Sequence, residues 1–267
     1  MSAADILYTV DAGVATITFN RPDTRNAFGD TTRDEMLALL RDAATDERVR
    51  CIVITGEGKA FAAGGDIRGM HAQQENDDVS VLDSRLAVVT DIVHFMRALD
   101  KPVVAAVNGA AAGGGMNLAL ACDIRYASAS AVFSESFVKI GLIPDWGGHY
   151  LLTRLVGASQ AMELMMLGER IDAATALRLG IVNAVFPDAS FRTDVAARAR
   201  ALAAGPQAAL AAIKRGILAA ETGTLADTLA YEREQQLRLF LSDDAREGMR
   251  AFIDKRAPVF GAPPQSD

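Results

Sequence analysis

The stretch from Pro102 to Gly148 decides the reading of this chain. It opens on an apolar run, Pro102-Val103-Val104-Ala105-Ala106-Val107, and breaks at Asn108-Gly109. It continues Ala110-Ala111-Ala112-Gly113-Gly114-Gly115-Met116-Asn117-Leu118-Ala119-Leu120. It ends Phe137-Val138-Lys139-Ile140-Gly141-Leu142-Ile143-Pro144-Asp145-Trp146-Gly147-Gly148. The run is apolar without alternation, as in a strand buried on both faces. A glycine turn and the start of a helix follow, and then a loop with one carboxylate in apolar company. A helix N-terminus offers unpaired N–H groups and the positive end of its dipole. Together these are the parts of a site that holds an oxyanion and moves a proton.

Working outward to the N-terminus, Cys51-Ile52-Val53-Ile54-Thr55 is a second buried run, within a strand expected over Val49–Thr55. Ile6–Val10 and Val14–Phe19 alternate apolar and polar residues around Asp11-Ala12-Gly13 and read as a hairpin. Thr32-Arg33-Asp34-Glu35 fits a capping box for a helix running to about Thr45. Phe61-Ala62-Ala63-Gly64-Gly65-Asp66-Ile67 reads either as an ordinary turn or as a loop whose small residues let a ligand approach the backbone. Gln73–Asp78 is polar and acidic. Val81–Leu99 is amphipathic, with Leu82, Leu86, Val89, Val93 and Met96 on one face. Strand, loop, helix thus recurs, and parallel strands joined this way imply right-handed crossovers.

Working outward to the C-terminus, the pattern turns helical: Gln160–Leu167, Ala173–Leu179, Ser190–Leu202, Gln207–Ala220, Leu225–Leu241 and Ser242–Arg256. Gly205-Pro206 is the best boundary, dividing a core of residues 1–204 from a helical region of residues 205–267. Helices of that length do not bury their apolar faces alone, so they are expected to pack on the core or on another subunit. Ala262–Asp267 reads as a tail.

The 267 residues are 50% hydrophobic and 23% charged, a globular composition for an α/β chain. The net charge of −7 argues against a nucleic-acid partner. Val103–Ala121 is uncharged, but its asparagines and glycines favour a buried strand–turn–helix over a membrane span. Met1–Asp5 is polar and acidic with no apolar segment after it, so a soluble, cytoplasmic protein is expected. Cys51 and Cys122, the only cysteines, sit in apolar runs and read as buried free thiols. No metal set is expected.

Two chemical roles follow from the residues themselves. Gly114, at the start of a helix, is a candidate backbone donor to an acyl oxygen, and Gly65, in the other small-residue loop, is the second. Such donors stabilise an enolate without a charged side chain. Asp145 lies among Ile143, Pro144 and Trp146, a setting that raises a carboxyl pKa and improves a base. Its position also fits a helix N-cap. His149, four residues later, is expected at the pocket edge.

These blocks resemble the crotonase, or enoyl-CoA hydratase/isomerase, superfamily. The resemblance rests on Ala60–Ile67, on Lys101-Pro102 through Asp123-Ile124, on Ile143-Pro144-x-x-Gly147-Gly148 and on Phe252-Ile253-Asp254-Lys255-Arg256. It implies a ββα-spiral core, a C-terminal helical region used in trimer formation, and acyl-CoA thioester substrates with no further cofactor. By the same resemblance Gly65 and Gly114 supply the oxyanion donors. Ala63, Asp66 and Ile67 fall where adenine and pantetheine are contacted, and Arg25 where CoA phosphates are approached. Phe252 and Lys255 match C-terminal residues that reach CoA, in several members from a neighbouring subunit.

Where the chain departs from the hydratases matters more. Their two water-activating glutamates fall on Asn117 and Phe137 here, and neither moves a proton. Glu135 could stand in for the missing acid if an extended backbone put it on the face of Phe137. Asp145 coincides with the catalytic aspartate of isomerase branches, and the surrounding residues look most like the epoxyphenylacetyl-CoA isomerases. The expectation is an acyl-CoA isomerase with one carboxylate, in which Asn117, Phe137 and Trp146 shape the acyl pocket. A homotrimer or a dimer of trimers is the expected assembly. A hydratase and a non-catalytic acyl-CoA-binding relative are the alternatives.

Overall fold

The structure is a computed structural model that describes residues 4–75 and 79–261. The polar Gln73–Asp78 segment lies partly outside these residues, and the Ala262–Asp267 tail wholly so. The chain begins with strands β1 (Ile6–Asp11) and β2 (Val14–Phe19), paired antiparallel as the hairpin pattern predicts. Helix α1 (Thr32–Thr45) follows. Its N-cap is Thr31, whose hydroxyl bonds the Glu35 side chain, while the Thr32 hydroxyl accepts from the Gly29 amide. The capping box expected from Thr32 to Glu35 therefore does not form, because the Thr32 oxygen is spent on the preceding turn.

Three β-β-α turns then build the core. The first is β3 (Cys51–Gly56), β4 (Ala60–Ala62), α2 (Ile67–Gln74) and α3 (Ser80–Ala98). The second is β5 (Val103–Val107), β6 (Ala110–Ala112) and α4 (Gly114–Ala121). The third is β7 (Ile124–Ser128), β8 (Val132–Ser134), a 3-10 turn at Ser136–Ile140, and α5 (Gly148–Val156). The remainder is α6 (Ala158–Leu167), β9 (Arg170–Asp172), α7 (Ala173–Arg178), β10 (Ala184–Phe186), α8 (Phe191–Ala203), α9 (Gln207–Ala220), α10 (Leu225–Phe240) and α11 (Asp243–Ile253).

The first strand of each turn joins one sheet, ordered β1-β2-β3-β5-β7-β10, and the second joins another, ordered β4-β6-β8-β9. β2, β3, β5, β7 and β10 run parallel, as do β4, β6 and β8. This is the crotonase-like α/β spiral that the family resemblance implies, and its parallel strands are those that the recurring strand–loop–helix pattern predicts.

The unbroken apolar runs have a physical cause. Alternate residues of a strand face opposite sides of its sheet. Ile52, Ile54, Val103, Ala105 and Val107 enter the main core with α1, α3 and α4. Cys51, Val53, Val104 and Ala106 meet Phe191, Val195, Ala199 and Ala203 of α8 on the other side. Both faces are covered, so neither tolerates polar residues. Both thiols are free and buried, and burial holds the Cys51 thiol up at about 12.

Beyond α8, residues 204–206 lead into the C-terminal helices. Lys214 of α9 ties them to the core, donating to the Met96 carbonyl at 2.7 Å and to Asp123 at 2.8 Å. Past that tether the apolar faces lie open: Leu225, Leu229, Leu237, Phe240, Phe252 and Ile253 are all exposed.

Candidate active site

The site grows from the carboxyl ends of two adjacent parallel strands. β4 pairs β6 through Ala60–Ala110 and Ala62–Ala111, so the turns that follow them lie side by side. Ligands gather at such strand ends in parallel α/β sheets because the loops and helix N-termini converge there. Gly113 turns the chain from β6 into α4 with φ +51°, a left-handed conformation that suits glycine. Gly64, φ +86°, packs so closely on this turn that an added Cβ would lie 2.9 Å from the Ala112 carbonyl oxygen and 3.0 Å from the Gly114 nitrogen. Among the described residues neither the Gly65 nor the Gly114 amide has an acceptor. The result is two free N–H groups on abutting turns.

They open into a cavity of about 520 Å³, mostly apolar. Ala63, Gly65, Ile67, Gly114, Phe137, Asp145 and Trp146 all line it, so most of the expected site residues come together. Among the described residues Asp145 is the only acidic one in the lining. Its Oδ1 has no hydrogen-bond partner and lies 3.5 Å from the position a Cβ on Gly114 would occupy. Burial pushes the carboxyl up to about 6, and the Arg33 guanidinium partly opposes that rise. The N-cap reading fails for the side chain: Gly147 is the N-cap of α5, and Asp145 contributes only its carbonyl, which accepts from Gly148. Trp146 is buried with φ +51°, a strained backbone for a bulky residue, and its ring packs 5.3 Å from that of Phe28. That packing holds the Asp145 turn in place.

Several expected residues sit elsewhere. Asn117 does not reach the cavity. It is fully buried on α4, where it donates to the Asp145 carbonyl at 2.9 Å and to Glu135 at 3.4 Å. It therefore acts on the pocket through the backbone that carries Asp145. Asp66 caps α2, accepting from the Arg68 and Gly69 amides. Arg25 is exposed at a left-handed turn outside the lining, and its carbonyl accepts from Ala63. Phe252 and Lys255, at the end of α11, are exposed and do not line the cavity. His149 is exposed and also lies outside the lining.

Glu135 is not on an extended segment. It precedes the Ser136–Ile140 3-10 turn, which swings Phe137 into the cavity and leaves Glu135 1% exposed behind it. Burial pushes its carboxyl up to about 8, and the charge of Asp145 adds to the rise. Glu135 Oε1 and Asn117 Oδ1 both lack partners as charged acid and amide. A proton on Glu135, expected at neutral pH, gives this acid–amide pair the donor it lacks.

The sequence reading missed the wall built by α1, α3 and the middle of α2. Arg33, Met70, Leu82, Arg85, Leu86 and Val89 complete the wall. Leu82, Leu86 and Val89 had read as a core-facing stripe, and Arg33 as part of a cap. A cation on the first turn of a helix, where the dipole disfavours it, was the signal the sequence offered. Among the described residues no cluster could hold a metal ion, and no helix is long and apolar enough to cross a membrane.

Comparison with known proteins places the chain in a family. The enoyl-CoA hydratase/isomerase family model matches residues 9–263, and the chain belongs to that family. A Rhodobacter capsulatus protein named "Probable enoyl-CoA hydratase" is 41% identical over 97% of this chain and 99% of its own length. The 1,2-epoxyphenylacetyl-CoA isomerase of Escherichia coli K12 is 39% identical over 96% and 97%. The crystal structure of an enoyl-CoA hydratase from Polaromonas sp. JS666 superposes with a TM-score of 0.90 at 36% identity, covering 96% of this chain and 99% of that one. Similar relatives thus bear both names, hydratase and isomerase.

Proposed function

We propose that this chain is an acyl-CoA isomerase that shifts a double bond or opens a ring in a CoA thioester with one carboxylate. The observation that carries the reading is that, among the described residues, Asp145 is the sole acid in a cavity that also presents the free amides of Gly65 and Gly114. The thioester oxygen accepts from both amides. Asp145 takes a proton from a carbon activated by the thioester, and the C–H electron pair passes into the enolate. The oxyanion donors hold that charge. The same carboxyl then returns the proton to another carbon, so the atoms of the substrate are conserved. Addition of water would need proton transfer at both ends of the double bond. Among the described residues no second carboxyl and no imidazole lines the cavity.

The thioester is the activating group, so the reaction asks for no cofactor beyond the CoA of the substrate. In this reading Ala63, Asp66 and Ile67 meet adenine and pantetheine, and Arg25 meets the CoA phosphates. Phe252 and Lys255 reach CoA in a neighbouring subunit; the exposure of Phe252, 85%, supports that role. The open apolar faces of α10 and α11 support a homotrimer or a dimer of trimers. No nucleic acid or membrane takes part, and the cytoplasm is the proposed location. A hydratase is the second reading, favoured by the name of the Rhodobacter relative. Mass spectrometry of unsaturated and epoxy acyl-CoA thioesters in D₂O separates the two. Deuterium exchange without the mass of water is the isomerase outcome, and gain of water overturns it.

A further inference from the structure

Arg33 is the group in the cavity that the proposed chemistry does not use. It lies on the first turn of α1 and is 9% exposed. Its Nη1 reaches only the Gly29 carbonyl, at 3.3 Å, and its Nε has no partner. Among the described residues its Nη2 has no acceptor, and no carboxylate oxygen lies within 4.0 Å of the guanidinium. Nη2 is 4.0 Å from the position a Cβ on Gly65 would occupy, so the free donors stand beside one oxyanion amide. The head is placed firmly, its carbon 5.4 Å from the centre of the Phe28 ring.

A buried guanidinium with open donors is costly unless an anion meets it. Asp145 influences Arg33 through its field, but the two make no ion pair. The other basic residues in the lining are Arg85, which is paired with Asp30, and the exposed Lys139. Among the described residues Asp145 alone stands against them, so their part of the lining carries a net positive charge beside apolar walls. A purely hydrocarbon acyl chain leaves that charge unmet. A carboxylate matches it, because two guanidinium N–H groups pair with two carboxylate oxygens.

We infer that Arg33 makes this pocket selective for short acyl-CoA thioesters whose acyl chain carries a second carboxylate. The inference rests on the acyl-CoA reading of the site and names its substrate class. The Gly65 amide takes the thioester oxygen, Arg33 takes the far carboxylate, and the carbons between them lie before Asp145. Arg33 is thus a specificity residue rather than a proton carrier.

Isothermal titration of the full chain with glutaryl-CoA and pentanoyl-CoA tests this. The two thioesters have the same acyl length and differ in the terminal carboxylate, and neither has a double bond to move. Glutaryl-CoA is expected to bind at least about tenfold tighter. Arg33→Gln, and separately Arg33→Met, should abolish the preference while leaving pentanoyl-CoA affinity in place. Equal affinity in the wild type, or a preference that survives in a folded variant, overturns the inference and leaves the isomerase reading standing. Binding of neither thioester overturns both.

Discussion

Two carboxylates, one buried and one half-buried, stand ten residues apart, and they have opposite fates. Asp145 lines the cavity, with Arg33 near enough to hold part of its charge; Glu135 lies behind the wall, with only an amide for company. Burial raises both, to about 6 and about 8. The difference decides their use. Near neutral pH Asp145 is largely ionised and touches the space a substrate would fill, so it can accept a proton. Glu135 keeps its proton and spends it on packing. A carboxylate becomes a base here through its access to the cavity and the sign of the nearest charge, and burial alone does not suffice.

The contrast breaks most sharply at Asp145. Asp145→Asn should lower isomerase turnover by about 10³-fold, the range lost with a positioned general base. Activity within a few-fold of wild type would remove the assignment. In the wild-type enzyme kcat/KM should rise with pH through about 6, because the base works in its ionised form.

The oxyanion side is next. A methyl group on Gly114 would sit 2.9 Å from the Trp146 indole nitrogen and crowd Asp145. Gly114→Ala should therefore cost about 10²-fold in turnover, the lower range for a lost oxyanion donor. Steady-state kinetics that match wild type would show that the acyl oxygen sits elsewhere.

A third test strikes the link between the two acids. Gly148 lies against Asn117, and a Cβ there would be 2.4 Å from the amide nitrogen. Gly148→Ala should destabilise the fold by about 1–3 kcal/mol through overpacking, read by chemical denaturation. An unchanged midpoint would mean that Asn117 is not the clamp on the Asp145 turn.

The smallest effect belongs to Glu135→Gln. Turnover should hold near wild type, whereas a hydratase working through Glu135 would collapse. The pH dependence of stability should change instead. The folded carboxyl binds its proton up to about 8, above its ordinary value of 4.5, so the native state holds more protons across that window. Wild-type stability should fall as pH rises from about 4.5 to 8, and the neutral glutamine should flatten the fall. Identical slopes in thermal melts from pH 5 to 8 would return Glu135 to the ionised state.

Much of this was legible in the residues. The hairpin, the parallel strands and the long helices follow from period and punctuation, because their patterns repeat over many residues. The short strands β4, β6, β8, β9 and β10 left no such trace, since three residues cannot establish a period. The cap at α1 was misplaced for a related reason: Thr31 and Thr32 are adjacent, and only the turn at Gly29 decides which oxygen is free.

By itself the sequence determined the family, the glycine turns and the apolar setting of Asp145, because those are local properties of chain and composition. Tertiary structure alone decided which acid faces the cavity. The Ser136–Ile140 3-10 turn rotates Phe137 inward and Glu135 away, and strand alternation would have placed both on one face. It also brought Arg33 from α1 against the Gly65 turn, residues that lie 32 positions apart in the chain. The charge of the pocket is set by that long-range packing, which no local pattern records.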